Sequence, residues 1–272
     1  MNKRGAFKGI IVLLSMFILA ASFASFVFAA SEPQGPESVT VDSERRTLST
    51  GWEIAAEAGN VTAMSVTDQR ITEVWQAYYG NITGTITLDD ANNVTFYDWG
   101  LPDPTGEIYA VNSSATVTWA NVYCMNVSHL RPNNGAGGGD IVYKINSSKI
   151  ELNFGINNSL GGTGDDLDGL NETFNGTYVD ATGFSVGSIL IDTSDGCSYA
   201  GLYTDQGPDS NWKELLLTDN SSLIFTSIIR ENADTYKTAG TETADFQMLV
   251  LENGHVGSET GATPYYFYVE LT

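Results

Sequence analysis

Short runs in which apolar and polar residues alternate dominate the chain from residue 52 onward. The runs are rich in Val, Ile, Thr, Tyr and Phe, and Gly, Asn, Asp and Pro separate them. Many short strands at this spacing predict an all-β, antiparallel β-sandwich-like domain. The predicted strands are Asn60–Val66, Gly84–Leu88, Asn93–Trp99, Thr116–Tyr123, Ile141–Ile145, Lys149–Phe154, Phe184–Ile191, Ser198–Tyr203, Glu214–Leu217, Leu223–Ile229, Phe246–Leu251 and Tyr265–Leu271.

One segment departs from the alternation. From Asp68 onward, apolar residues recur at helical spacing, and Gly80 stands where a helix would end. The pattern therefore predicts one short helix, carried by Ile71, Val74, Trp75 and Tyr78. No second amphipathic stretch follows, so the strand–helix alternation of a parallel α/β fold is absent from the sequence.

The N-terminus combines three basic residues with a long apolar run. Lys3, Arg4 and Lys8 precede residues 10–30, which carry no charge and end in small residues. This order predicts a secretory signal peptide cleaved after Ala29 or Ala30.

Two alternatives to cleavage remain open for residues 1–30. The apolar run is long enough to cross a bilayer as an uncleaved anchor helix with its basic end inside the cell. Lys3-Arg4-Gly5 before Ala6 also resembles the leader of archaeal type IV pilins, although Lys8 interrupts that pattern. All three routes place the rest of the chain outside the cell, either secreted or at the cell surface.

The polar stretch between this run and the first predicted strand is expected to be a linker. Residues 31–51 contain Pro33, Gly35 and Pro36, which are typical of irregular backbone. We therefore divide the chain into a signal or anchor (1–30), a linker or stalk (31–51) and an extracellular β domain (52–272).

A shortage of Lys and Arg makes the chain strongly acidic. The 272 residues carry 12 Lys and Arg against 33 Asp and Glu, a net charge of −21. Such a surface repels phosphate backbones, so nucleic acid is not an expected partner. An acidic surface is compatible with solubility in a saline medium or with the binding of cations.

Ten Asn-x-Ser/Thr triplets are more than twice the number expected by chance. N-glycans are bulky and solubilising, so in an exported chain the triplets predict exposed glycosylation sites. The acceptor residues are Asn60, Asn81, Asn93, Asn112, Asn126, Asn146, Asn157, Asn171, Asn175 and Asn220.

The two cysteines, Cys124 and Cys197, fit an oxidising compartment, where they would form one disulfide. The alternative is a pair of buried free thiols. No Cys-x-x-Cys motif or Cys/His cluster surrounds either residue, so neither is expected to bind zinc.

An acidic loop carries the candidate metal ligands of the sequence. Asp165, Asp166 and Asp168 place several oxygen atoms close together, and calcium prefers oxygen ligands. Their spacing does not match the EF-hand loop. A solvated acidic loop is the favoured interpretation, and Ca²⁺ is the cofactor that the alternative would require.

Gly183-Phe184-Ser185-Val186-Gly187 matches the G-x-S-x-G motif of serine hydrolases, with His255 downstream. That nucleophile elbow requires a helix after the serine, whereas an apolar strand is predicted there. We therefore predict no catalytic residue and keep an exported hydrolase only as a third hypothesis.

Aromatic residues are numerous, with 5 Trp and 13 Tyr. Aromatic side chains stack on sugars and anchor protein interfaces, but in a β domain most belong to the core. A carbohydrate-binding module is therefore the second hypothesis for function.

Three stretches, together with Cys124 and Cys197, resemble a group of exported archaeal proteins of unknown function. The resemblance spans roughly residues 55–272 and implies an extracellular location and an all-β fold, with no catalytic residues. The three stretches are Trp75–Gly84, Asp245–Val250 and Thr263–Leu271.

These observations together predict a non-enzymatic structural or interaction glycoprotein with an envelope, filament or adhesive role. Its expected partners are other cell-surface proteins, further copies of itself or glycans, and the membrane if residues 10–30 remain uncleaved.

Overall fold

Antiparallel strands make up most of the described structure, which confirms the all-β prediction. The computed structural model describes residues 32–44, 53–66, 72, 74–112, 117–127, 150–151, 154, 168–178, 183–192, 196–204, 207–237, 242–252 and 263–272. Residues 32–272 form one unit. The predicted signal or anchor segment lies outside the described residues, as do the predicted strand Ile141–Ile145 and both histidines.

Fifteen strands and two very short helices lie in the described part of the chain. The helices are a 3₁₀ turn, Trp119–Asn121, and α1, Leu170–Thr173. The strands are β1 (Trp75–Gly80), β2 (Gly84–Asp89), β3 (Thr95–Leu101), β4 (Gly106–Val111), β5 (Tyr123–Cys124), β6 (Gly176–Thr177), β7 (Phe184–Val186), β8 (Ile189–Ile191), β9 (Ser198–Thr204), β10 (Gly207–Thr218), β11 (Leu223–Ile228), β12 (Ala233–Asp234), β13 (Thr243–Ala244), β14 (Phe246–Leu251) and β15 (Tyr266–Leu271).

Seven strands form the central sheet, in the order β15-β4-β11-β10-β9-β6, with β5 also paired to β10. All of its pairings are antiparallel. The register places Phe225 opposite Leu216 on one side and Ala110 on the other.

The central sheet is buried on both faces, so its inner strands have buried residues in succession. Leu215, Leu216 and Leu217 are all fully buried because successive side chains point to opposite faces of a strand. Leu216 joins one apolar cluster, whereas Leu215 and Leu217 join the other.

A separate two-stranded layer contributes to each cluster. Met248 and Val250 of β14, which pairs with β1, belong to the same cluster as Leu216. Phe184 and Val186 of β7, which pairs with β8, belong to the opposite cluster. The central sheet therefore has apolar cover on both of its sides.

The prediction of a helix after Asp68 is wrong for the described part of that segment. Trp75–Gly80 is strand β1, and it pairs with β14 from Trp75 opposite Leu251 to Gly80 opposite Phe246. Aromatic residues are good strand formers, and pairing with a distant strand overrides a local helical spacing. The one α-helix with both ends among the described residues is α1.

Three further predicted strands are wrong. In the described part of Thr116–Tyr123, Trp119–Asn121 form a 3₁₀ turn and Tyr123 alone belongs to a strand, β5. Residues 150 and 151 of the predicted strand Lys149–Phe154 are helical, and Phe154 N–H donates to the Ile150 carbonyl. Asn60–Val66 is exposed and irregular. A β-like sequence therefore does not form a strand where no partner strand is placed beside it.

The segment expected to be a linker contacts the domain at two points. Gln34 forms an isolated antiparallel bridge with Val269 of β15, with N···O distances of 3.1 and 2.8 Å. Glu44 forms an ion pair with Lys237 at 2.9 Å.

Cys124 and Cys197 form the predicted disulfide, with Cα atoms 4.6 Å apart. Both residues are buried in the same apolar cluster. Next to the bond, Ser198 N–H donates to the Met125 carbonyl at 3.0 Å. The disulfide thus joins β5 to the residue just before β9, and both strands pair with β10.

Among the described residues, no helix is long and apolar enough to cross a membrane.

We predict that loss of the disulfide lowers the free energy of unfolding by about 2–4 kcal/mol, because the cross-link restricts the unfolded chain over 73 residues. Urea denaturation of the wild-type protein and the Cys124→Ala/Cys197→Ala variant measures the difference. A reducing agent should destabilise the wild type and leave the double variant unchanged. Equal stability of the two proteins would contradict the prediction.

Candidate functional site

The hairpin β2–β3 exposes an apolar face. Within the part of the chain that the structure describes, its two strands pair only with each other. The register places Ile86 opposite Trp99 and Leu88 opposite Tyr97. Since cross-strand partners lie on the same side of a hairpin, these four residues share one side, which we call the apolar face.

About half of each side chain of the apolar face is in contact with solvent. The exposed fractions are 55% for Ile86, 53% for Leu88, 55% for Tyr97 and 49% for Trp99. The four side chains together expose roughly 400 Å², which is the size of the largest apolar patch on an ordinary soluble monomer. Patches of this size commonly mark functional surfaces.

The two rings of the apolar face touch but are not coplanar. The ring centroids of Tyr97 and Trp99 lie 4.7 Å apart, and the ring planes are inclined by 58°. Two flat surfaces therefore meet at an angle on the face. Outside this face, Thr87 is paired to Asp98, and Phe96, which lies at the bulge of β3, is 85% exposed.

Asp90 fixes the turn of the hairpin. Its Oδ1 accepts hydrogen bonds from Asn92 N–H at 2.8 Å and Val94 N–H at 3.0 Å. These two donors lower the pKa of the Asp90 carboxyl group. Asn93 adopts a left-handed conformation with φ 60°, which asparagine tolerates better than most residues.

The base of the hairpin is held by its neighbours. A side chain at Gly84 would collide with Leu271 of β15, so glycine permits a close approach there. Just before β2, Ile82 N–H donates to Asp245 Oδ2 at 2.7 Å. The hairpin is therefore anchored at one end, and the turn at its other end is exposed.

The described sequon asparagines differ in accessibility. Asn60 and Asn175 are exposed, but their amides donate to Glu57 Oε2 and the Glu172 carbonyl. Asn126 is half-buried and donates to the Gly196 carbonyl. Asn146 and Asn157 lie outside the described residues, and the remaining half-buried acceptors are Asn112, Asn171 and Asn220.

Asn81 and Asn93 are the two described acceptors that are exposed and have no hydrogen bond through the side-chain amide. Asn81 lies three residues before β2, and Asn93 lies in the turn before β3. Both ends of the hairpin thus carry an accessible sequon. Sequence alone could not separate these two residues from the other eight, because the triplets are alike.

Asp168 has a structural role in the described part of the acidic loop. Its Oδ2 accepts a hydrogen bond from Thr72 Oγ1 at 2.7 Å, and its carbonyl accepts one from Trp75 Nε1. Asp165 and Asp166 lie outside the described residues. Among the residues described, no three His, Cys, Asp or Glu side chains are grouped to hold a metal ion.

Ser185 lies on β7, and a turn at Gly187 leads directly into β8. The strand-to-helix geometry of a nucleophile elbow is therefore not formed around Ser185. His255 lies outside the described residues.

Trp99 is the most exposed of the described tryptophans. Trp119 and Trp212 are buried, and Trp75 packs against Phe174 and Phe225. Trp52 lies outside the described residues. Most of the described tryptophans thus belong to the core, as expected for a β domain.

A pair of buried glutamates, which the sequence did not single out, lies at the edge of the central sheet. Glu107 of β4 and Glu270 of β15 are directly opposite each other, and each is 5% exposed. Gly187 N–H lies 3.0 Å from both carboxylate oxygens of Glu270, and Tyr109 Oη donates to one of them at 3.3 Å. We call Glu107 and Glu270 the acid pair.

The two members of the acid pair differ in their hydrogen bonds and in their pKa values. Glu107 Oε2 is buried without a hydrogen-bond partner among the described residues. Burial, and then the nearby charge of Glu270, raise the pKa of Glu107 to about 8. Burial also raises the pKa of Glu270, while Gly187 N–H and Tyr109 O–H favour its charged form. Glu107 is therefore protonated at neutral pH.

No known protein family, no curated protein and no solved structure matches this chain.

We predict that the protein is more stable in mild acid than in mild alkali. The pKa of Glu107 is higher in the folded chain than in the unfolded chain. Its contribution to the free energy of unfolding is therefore complete below about pH 4.5 and is lost as the pH rises through 8. The loss reaches roughly 5 kcal/mol at most. Glu107→Gln should remove much of this decrease in the free energy of unfolding. Urea denaturation between pH 5 and about 8.5 measures it.

The exposed Glu37 provides the matched control. Glu37→Gln should leave the pH dependence of the wild-type protein unchanged. If Glu107→Gln and the wild type lose stability equally as the pH rises, Glu107 is already charged in the folded protein and the prediction is wrong.

Proposed function

We propose that the protein is a non-enzymatic structural or interaction glycoprotein of the cell exterior, with an envelope, filament or adhesive role. The observation that carries the proposal is the position of Asn81 and Asn93. Both are exposed acceptor residues whose side-chain amides have no hydrogen bond among the described residues, and they lie at the two ends of the hairpin β2–β3. Such positions are accessible to a glycosylating enzyme, and N-glycans are added to exported chains.

The disulfide supports the same location. Disulfides persist in oxidising compartments and are rare in the cytosol of most organisms. The Cys124–Cys197 bond is buried between paired strands, where it acts on stability rather than on redox chemistry. The acidic composition is compatible with an aqueous exterior but does not by itself select among the three roles.

A carbohydrate-binding module is the second candidate function, and the exposed Tyr97–Trp99 pair favours it. Sugars stack on aromatic rings, although the inclination of 58° gives two small surfaces instead of one flat platform. If the hairpin binds free polysaccharide, Trp99→Ala should abolish retention on insoluble cellulose or chitin. Tyr266→Ala, which removes an exposed ring outside the hairpin, should not.

We predict that the protein isolated from the cells that make it carries covalent hexose and no free thiol. Intact-mass spectrometry with sequencing of the N-terminus measures both properties. A chain that begins at Ala30 or Ser31 would be secreted, and one that retains Met1 would be anchored by residues 10–30. A start at Ala6 would make a filament subunit the favoured role.

An unmodified mass with two free thiols would contradict the proposal whatever the N-terminus. The same protein treated with a reducing agent and an alkylating reagent is the control, because it should gain the mass of two alkyl groups only after reduction.

A further inference from the structure

The rest of the described structure does not cover the apolar face, and the exposure of its side chains to water is unfavourable. An isolated two-stranded hairpin is marginally stable in water, and its apolar side chains gain little while they remain half-exposed. Ile86, Leu88, Tyr97 and Trp99 are all in that condition. A ligand that covered them would stabilise the hairpin and remove an aggregation surface.

Charge argues against a second copy of this chain as the cover. No Lys or Arg occurs between Arg70 and Arg131, and the hairpin itself carries Asp89, Asp90 and Asp98. Two copies with a net charge of −21 each would bring acidic hairpins together, and like charges repel. The surface buried per copy would also be only roughly 400 Å², about half of what a stable interface needs.

The two accessible sequons point to a different cover. Asn81 and Asn93 lie at opposite ends of the same hairpin, and Thr83 and Thr95 complete their triplets at exposed positions. Tyr97 is four residues from Asn93, so the backbone allows at most about 13 Å between them. An oligosaccharide of a few sugars spans that distance.

We propose that Asn81 and Asn93 carry N-linked oligosaccharides and that these sugars pack on the apolar face formed by Ile86, Leu88, Tyr97 and Trp99. This inference rests on the proposed function, because it requires an exported and glycosylated chain. The carbon-bound hydrogens of a hexose ring form an apolar surface that stacks on aromatic rings. The inclined rings of Tyr97 and Trp99 offer stacking surfaces in two directions.

The covalent step requires an oligosaccharide activated on a lipid-linked phosphate. The asparagine Nδ2 forms a bond to the anomeric carbon of the first sugar. The bond between that carbon and the phosphate oxygen breaks, the phosphate departs with the electron pair, and the amide loses one proton. Among the described residues, the amides of Asn81 and Asn93 form no hydrogen bond that this reaction would break.

Hydroxyl-radical footprinting of the full-length glycoprotein, made in its own cells, tests the inference. Glycopeptide mass spectrometry first determines whether Asn81 and Asn93 are occupied. Oxidation of Tyr97 and Trp99 is then compared between the wild type and the Thr83→Ala/Thr95→Ala variant, which destroys both sequons. Thr83→Ser/Thr95→Ser, which preserves them, is the matched control, and Tyr266 is an internal reference outside the hairpin.

We expect both sites to be occupied, and oxidation of Tyr97 and Trp99 to rise severalfold in the alanine variant but not in the serine variant. Equal oxidation of Tyr97 and Trp99 in all three proteins would overturn the inference. So would a chain that is glycosylated only at other sites. In both of these cases the proposed function would stand.

Two further outcomes would also overturn the inference. Absence of glycan from the whole chain would remove both the inference and the proposed function. Continued protection of Tyr97 and Trp99 in the alanine variant, with a dimer in analytical ultracentrifugation, would identify a second copy of the chain as the cover. Because the substituted threonines are exposed, we expect the variants to fold, and equal urea denaturation curves check this.

Discussion

Burial of the central sheet on both faces is the constraint on which the rest of the structure depends. Strands β4, β11 and β10 place each successive side chain in one of two apolar layers, so both layers must be covered by other parts of the chain. The pairs β1–β14 and β7–β8 contribute to that cover, and the disulfide joins β5 to the start of β9 at Cys197. With these strands in the core, the described part of the chain leaves the apolar face of the hairpin β2–β3 exposed.

Burial of the sheet on both faces also places the two carboxyl groups of the acid pair in an unfavourable environment. Glu107 and Glu270 face each other on neighbouring strands, where two negative charges without a cation would be strongly unfavourable. A proton on Glu107 removes the repulsion, and Gly187 N–H compensates the charge of Glu270. Gln34 pairs with β15, the strand that carries Glu270.

Sequence patterns predicted the strands that alternate or that are rich in β-branched residues, including β2, β3, β11 and β14. They failed for β1, where helical spacing of aromatic residues outweighed strand propensity, and they missed β4. Gly106–Val111 is buried along its whole length and contains Glu107, so it neither alternates nor reads as an apolar run. The sequons were visible in the sequence, but their accessibility depends on hydrogen bonds that only the folded chain reveals.

The hairpin brings two properties of the sequence to one place, namely the accessible sequons and the exposed aromatic residues. Sugar is therefore the proposed cover of the hairpin. An experimental density map of the protein isolated from the cells that make it tests this claim most directly. We predict branched density that continues from Asn93 Nδ2 and lies over Tyr97 and Trp99. A bare Asn93 amide, with another polypeptide against Trp99, would contradict it.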